Sequence, residues 1–75
     1  MKLSELKAGS KARIISIASK SGIKRRLLDM GILSGEEIEV VKVAPLGDPL
    51  EIKVKGYSLS LRKAEAEDIE VEVQT

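Results

Sequence analysis

The chain has no cysteine, no histidine, no tryptophan and no phenylalanine, and Tyr57 is its only aromatic residue. The missing cysteine excludes a disulfide framework and a thiolate metal site, and makes the cytoplasm the expected compartment. Without histidine and cysteine the chain lacks the usual activators of a nucleophile and the usual soft metal ligands. Only carboxylates, lysines, serines and one tyrosine are left to do chemistry, so no enzymatic activity and no cofactor are expected. The shortage of aromatics removes the stacking platforms on which single-stranded nucleic acid binding depends. No apolar run approaches the roughly 20 residues of a membrane span, and Met1-Lys2-Leu3-Ser4-Glu5 does not open a signal-peptide pattern.

The chain does have charge, unevenly spread. Residues 1–28 carry a balance of +7 and residues 29–75 a balance of −6, which nearly cancel. In one small domain two such halves interleave and complement each other, so the asymmetry does not by itself mark a basic arm. At 75 residues, a single domain over 1–75 is expected, burying about 60–65% of its unfolded surface.

The chain is organised around Arg25-Arg26-Leu27-Leu28-Asp29-Met30-Gly31-Ile32-Leu33-Ser34-Gly35. Ile23, Leu27 and Met30 recur at helical spacing and Leu28 widens the stripe, which predicts a helix over about 22–30 with Lys24, Arg25, Arg26 and Asp29 on the wet side. Ser21 is the expected N-cap. Gly31 stands where a helix exit needs a left-handed residue, so Ile32 can fold back onto Leu27.

Elsewhere the period is two. Lys11–Ala18, Glu36–Ala44, Leu50–Val54, the stretch opening at Gly56-Tyr57, and Ile69–Val73 read as five short strands. Within the second, the phase slips from Ile38 and Val40 to Val41 and Val43, which predicts a bulge. Tyr57, Leu59 and Leu61 are the expected inward set of the fourth strand, and Ile69, Val71 and Val73 alternate along the fifth. Pro45-Leu46-Gly47-Asp48-Pro49 is a turn by composition. Short helical turns are expected near 3–6 and 64–68. Five strands with tight links bury most by curling, so the expected fold is mostly β, a small five-stranded barrel with one short α-helix.

Four blocks carry a resemblance: Leu3-Ser-Glu-Leu6-Lys-Ala-Gly9; Arg26-Leu-Leu-Asp-Met-Gly31-Ile-Leu-Ser-Gly35; Ala44-Pro-Leu-Gly-Asp-Pro-Leu50; and Gly56-Tyr-Ser-Leu-Ser-Leu-Arg62. In this order, over nearly the whole chain, they resemble the FeoA family of ferrous iron transport proteins. The resemblance implies an SH3-like barrel, a domain also found at the C-terminus of iron-dependent repressors. It further implies a cytosolic accessory or regulatory protein of ferrous iron uptake and iron homeostasis. Its implied partner is the FeoB membrane transporter, whose soluble portion carries a GTPase domain.

The partner-contact candidates are Lys24, Arg25, Arg26, Pro45, Leu46 and Tyr57. The three cations make an ordinary solvated helix face by default; a cation near a helix N-terminus opposes the macrodipole by about 0.3–1 kcal/mol, so Lys24 does not help the helix it sits on, which raises the odds of a contact role. Pro45 and Leu46 read equally as simple turn geometry and as a rigid apolar knob that a partner covers at low entropic cost. Tyr57 is expected in the core with its hydroxyl at the rim. The alternative function, a small β-barrel nucleic-acid module, would rest on salt-sensitive phosphate contact alone. A polyproline groove needs several aromatics, and the carboxylate pairs Glu36-Glu37 and Glu65-Glu67-Asp68 are solvated turns, so no specific metal site is expected.

Overall fold

The structure, a computed structural model, describes residues 1–74. A 3-10 turn at Leu3–Glu5 leads into β1 (Lys11–Ile17), α1 (Gly22–Asp29), β2 (Glu37–Val43), β3 (Leu50–Val54), β4 (Tyr57–Leu61), a short α2 (Lys63–Ala66) and β5 (Ile69–Val73). The five strands form one antiparallel sheet in the order β4-β3-β2-β1-β5. The five strands, the one short α-helix and the helical turns are those expected; the two end strands do not pair with each other, so the small barrel is not closed. The core is continuous despite this. Leu3 and Ile69, Ile14 and Val71, Val40 and Ile52 are each at most 1% exposed.

The helix forms as its sequence dictates and ends one residue before the expected boundary. Ser21 is the N-cap and its Oγ accepts from the Ile23 N–H at 3.2 Å. At the exit, Gly31 has φ +77, its N–H donates to the Leu28 carbonyl at 2.9 Å, and the Ile32 N–H donates to the Leu27 carbonyl at 2.9 Å. That pair of bonds is a Schellman cap, and the apolar contact that accompanies it joins Ile32 to Leu27, both buried. A Cβ on Gly31 would stand 3.4 Å from Lys55 Nζ, which donates to the Gly31 carbonyl at 3.0 Å. Gly31→Val forces a β-branched residue to a positive φ, and a loss of about 1–3 kcal/mol is expected in urea melts.

The bulge expected in the second strand is present between Val40 and Lys42. It turns Val41 out to 51% exposure while Val40 stays buried. A second bulge lies between Ile14 and Ser16 on the β1–β5 pairing; it leaves Ile15 exposed and returns Ile17 to the core margin. β3 and β4 are joined by the two residues Lys55 and Gly56, at φ +52 and +82. Two positive φ values make this a type I′ turn, whose twist matches that of the flanking strands.

Three apolar assignments are corrected. Leu28, counted in the helix stripe, is 46% exposed, because only Ile23 and Leu27 of the helix point fully into the sheet. Tyr57, expected in the core, is also 46% exposed: β4 ends the open sheet, so its inward residues nearest the hairpin lie at a rim instead of between two strands. Val73 is 41% exposed for the corresponding reason at the other end.

Candidate partner-docking surface

Two of the sequence's candidate regions are held on the same small element, α2. Glu65 Oε1 accepts from the backbone N–H of Arg62 at 2.9 Å, the carboxylate half of a capping box. Its Oε2 lies 3.8 Å from Arg26 Nη1 on α1. One residue on, the backbone N–H of Lys63 donates to Asp48 Oδ1 at 3.2 Å. Glu65 thus ties the helix to α2, and Asp48 ties the proline loop to it. The Arg26–Glu65 pair is partly solvated at both ends and contributes little to stability, about 0–1 kcal/mol. It places the Arg26 guanidinium beside α2.

The loop is stiffened from within. The Gly47 N–H donates to the Ala44 carbonyl at 2.7 Å, and the Ala44 N–H to the Pro49 carbonyl at 3.1 Å. Gly47 takes φ +81, and the Asp48–Pro49 peptide bond is cis. At the loop's tip Leu46 is 90% exposed, more than any other large apolar side chain among the described residues. Pro45 beside it is exposed as well. A leucine held this far into water by a hydrogen-bonded proline loop has already lost most of the backbone freedom that a partner would otherwise have to remove.

Between helix and loop lies an open basin lined by Arg26, Asp48, Pro49, Ser60, Arg62 and Glu65. Of the six candidates, Arg26 reaches the basin wall, and the proline loop that carries Pro45 and Leu46 supplies its opposite side through Asp48 and Pro49. Lys24 is half-buried and Arg25 exposed on the same helix. Tyr57 is exposed on the β3–β4 hairpin and does not line the basin. The bracket made by Asp48, Arg62, Lys63 and Glu65 was not singled out from the sequence. Its signal was nonetheless present: an acid three residues after Arg62 is the capping-box spacing, and it occurs a second time where the Lys2 N–H donates to Glu5 Oε1 at 2.8 Å. Glu65→Ala removes the cap and the Arg26 partner together, and should lower stability by about 0.5–2 kcal/mol in a thermal melt.

The surface combines free cations with a rigid apolar knob, which suits recognition of a partner. Among the described residues, no group of three or more histidine, cysteine, aspartate or glutamate side chains is arranged to hold a metal ion. No helix among them is long and apolar enough to cross a membrane.

Comparison with known proteins follows the same lines. The FeoA domain model matches residues 1–73. A fusion of Fe(2+) transport protein A with the Fe(2+) transporter FeoB from Porphyromonas gingivalis is 41% identical over 73 residues, which are 97% of this chain and 9% of the fusion. The chain therefore spans only a small part of that relative. The NMR structure of a FeoA-like protein from Clostridium acetobutylicum is 47% identical, with a TM-score of 0.88, covering 100% of this chain and 87% of the other. FeoA from Stenotrophomonas maltophilia, an SH3 domain protein crystallised with zinc, is 34% identical with a TM-score of 0.82, covering 96% and 89%.

Proposed function

The chain belongs to the FeoA family, and from that premise we propose that it is a cytoplasmic accessory protein of ferrous iron uptake that docks on the soluble part of a FeoB-type membrane transporter. The family is an accessory one and not catalytic. Docking uses the exposed side of α1, with Lys24, Arg25 and Arg26, and the proline loop, with Pro45 and Leu46. Tyr57, the sixth candidate, is exposed on the β3–β4 hairpin and does not line the basin between helix and loop.

The observation that carries the reading is the Porphyromonas gingivalis fusion, in which a domain 41% identical to this chain is covalently joined to FeoB. Joining two partners in one chain raises their effective concentration, to the millimolar range for short flexible linkers, and so favours even a weak contact. Where no such tether acts, the affinity must come from the domain's own surface. The pre-formed loop and the exposed cations are the features that supply it. Electrostatic attraction by Arg25 and Arg26 would raise the rate of encounter, and Leu46 would supply desolvation at the centre of the contact.

The test is calorimetry of the full chain against the transporter's soluble domain and, in parallel, against mixed-sequence oligonucleotides. Binding to the soluble domain is expected, with affinity falling moderately as salt is added. Binding to the oligonucleotides alone, with a steep fall in affinity with salt, would replace this reading by a phosphate-binding one.

A further inference from the structure

We propose that the free edge of β4 is a second interaction surface, which adds an extended peptide strand carrying acidic residues at both of its ends. It borders the basin between helix and loop, sharing Ser60 and Arg62 with its lining, and does not depend on the transporter as partner.

The two ends of the sheet are treated differently. The edge of β5 is covered by the start of the chain: Lys2 bridges Glu70, and the Val71 N–H donates to the Met1 carbonyl at 2.7 Å. β4 pairs only with β3, in an unbroken register from Leu50 opposite Leu61 to Val54 opposite Tyr57. In a two-residue hairpin the closing pair is hydrogen-bonded and the pairs alternate from there. Tyr57, Leu59 and Leu61 therefore spend their backbone groups on β3. The N–H and C=O groups of Ser58 and Ser60 point out of the edge, with no backbone partner among the described residues.

Soluble proteins blunt such an edge with lysine, proline or a bulge. Tyr57-Ser58-Leu59-Ser60-Leu61 has none of these. The chain instead keeps an uncharged, five-residue template, with exposed Tyr57 at one end and half-buried Leu59 in the middle. An extended peptide docks on an edge of this kind through main-chain bonds, with its alternate side chains giving specificity.

The charges around the edge select the occupant. Lys55 stands at the hairpin end, and Arg62 and Lys63 stand at the other. Asp48 and Glu65 lie at that second end too, accepting from the Lys63 and Arg62 backbones, but Arg26 stands there with Arg62 and Lys63, so cations outnumber acids. On the sheet face, Lys53 opposite Ser58 and Glu51 opposite Ser60 offset each other. Both ends of the edge are thus cationic. A second copy of this chain, paired antiparallel about Leu59, would lay Lys55 of one molecule against Lys63 of the other, and facing like charges destabilise a strand pair. A peptide with a short alternating core and carboxylates at each end meets a complementary charge at both.

The test is titration of the nitrogen-15-labelled full chain with two synthetic peptides that share a Thr-Val-Thr-Val-Thr core, one ending in Asp-Glu on both sides and the other in Lys-Lys. The acid-ended peptide should give saturable shifts centred on the Ser58 and Ser60 amides, which should also become slow to exchange with solvent. It should bind about tenfold or more tighter than the lysine-ended one. Ser60→Pro removes an outward donor without breaking an internal bond and should abolish binding. Reversing Lys55 and Arg62 to glutamate costs the Lys55 bond to the Gly31 carbonyl but leaves the outward main-chain groups of Ser58 and Ser60 in place, and should invert the preference between the peptides. Absence of a saturable shift at β4 at millimolar acid-ended peptide would overturn the proposal. So would concentration-dependent shifts of Ser58 and Ser60 in peptide-free protein, which would make a second copy the occupant. Neither peptide carries a transporter sequence, so failure here leaves transporter docking untouched, and failure of transporter docking leaves this edge untouched.

Discussion

Leu27→Ala is expected to lower stability by about 2–5 kcal/mol, the range for deleting a fully buried leucine. Leu27 is 1% exposed, and its carbonyl accepts from Ile32 in the cap. The side chain seats the helix on the sheet, while the backbone carbonyl that holds Ile32 is kept in the alanine variant, so the loss reads the side chain's burial. A domain of this size has about 3–5 kcal/mol to lose, so urea melts should find the variant close to unfolded before denaturant is added. Leu28→Ala is the control. At 46% exposure it should stay within about 0.5 kcal/mol of wild type. Equal losses from the two variants would mean that the helix is rotated from the position described above.

Reversing Arg25 and Arg26 together to glutamate is expected to weaken binding to the transporter's soluble domain by a few kcal/mol, or about two to three orders of magnitude in Kd. Stability should change far less. Arg25 is exposed, and Arg26 makes one long, partly solvated ion pair with Glu65. Its reversal would set like charges beside each other there at a cost of about 1 kcal/mol or less. A melt and a binding isotherm on the same preparation separate the two effects. A folded variant with unchanged affinity would remove the helix face from the interface.

What could be read from the sequence was what local chemistry decides. Ser21, Gly31 and Ile32 set both ends of α1 through bonds that span at most five residues, so the helix and its cap were legible. The phase change at Val41 and the composition of the 45–49 loop were legible for the same reason. Burial at the rim was not. Tyr57 and Val73 follow the period of two correctly and still face water, because their exposure depends on which strands end the sheet, a property of topology that alternation does not carry. A small barrel was expected on the economy of hiding edges; it is left unclosed, and Met1 and Lys2 cover one edge. Within the candidate site, the helix cations and Leu46 were legible as chemistry. Their common anchorage on Asp48 and Glu65 joins residues 15 and 39 positions apart along the chain, and periodicity has no term for such contacts.

The most direct test of the account is a map of the contact itself. The nitrogen-15-labelled chain is titrated with the unlabelled soluble domain of a FeoB-type transporter, and the amides that shift or broaden are located. The account predicts a footprint covering Lys24, Arg25 and Arg26 on α1 together with Leu46, Gly47 and Asp48 in the loop, lost when Leu46 is replaced by aspartate in a chain that still gives a dispersed spectrum. A footprint confined to the β1, β2 and β5 face of the sheet, or an unchanged spectrum at saturating domain concentrations, would contradict it.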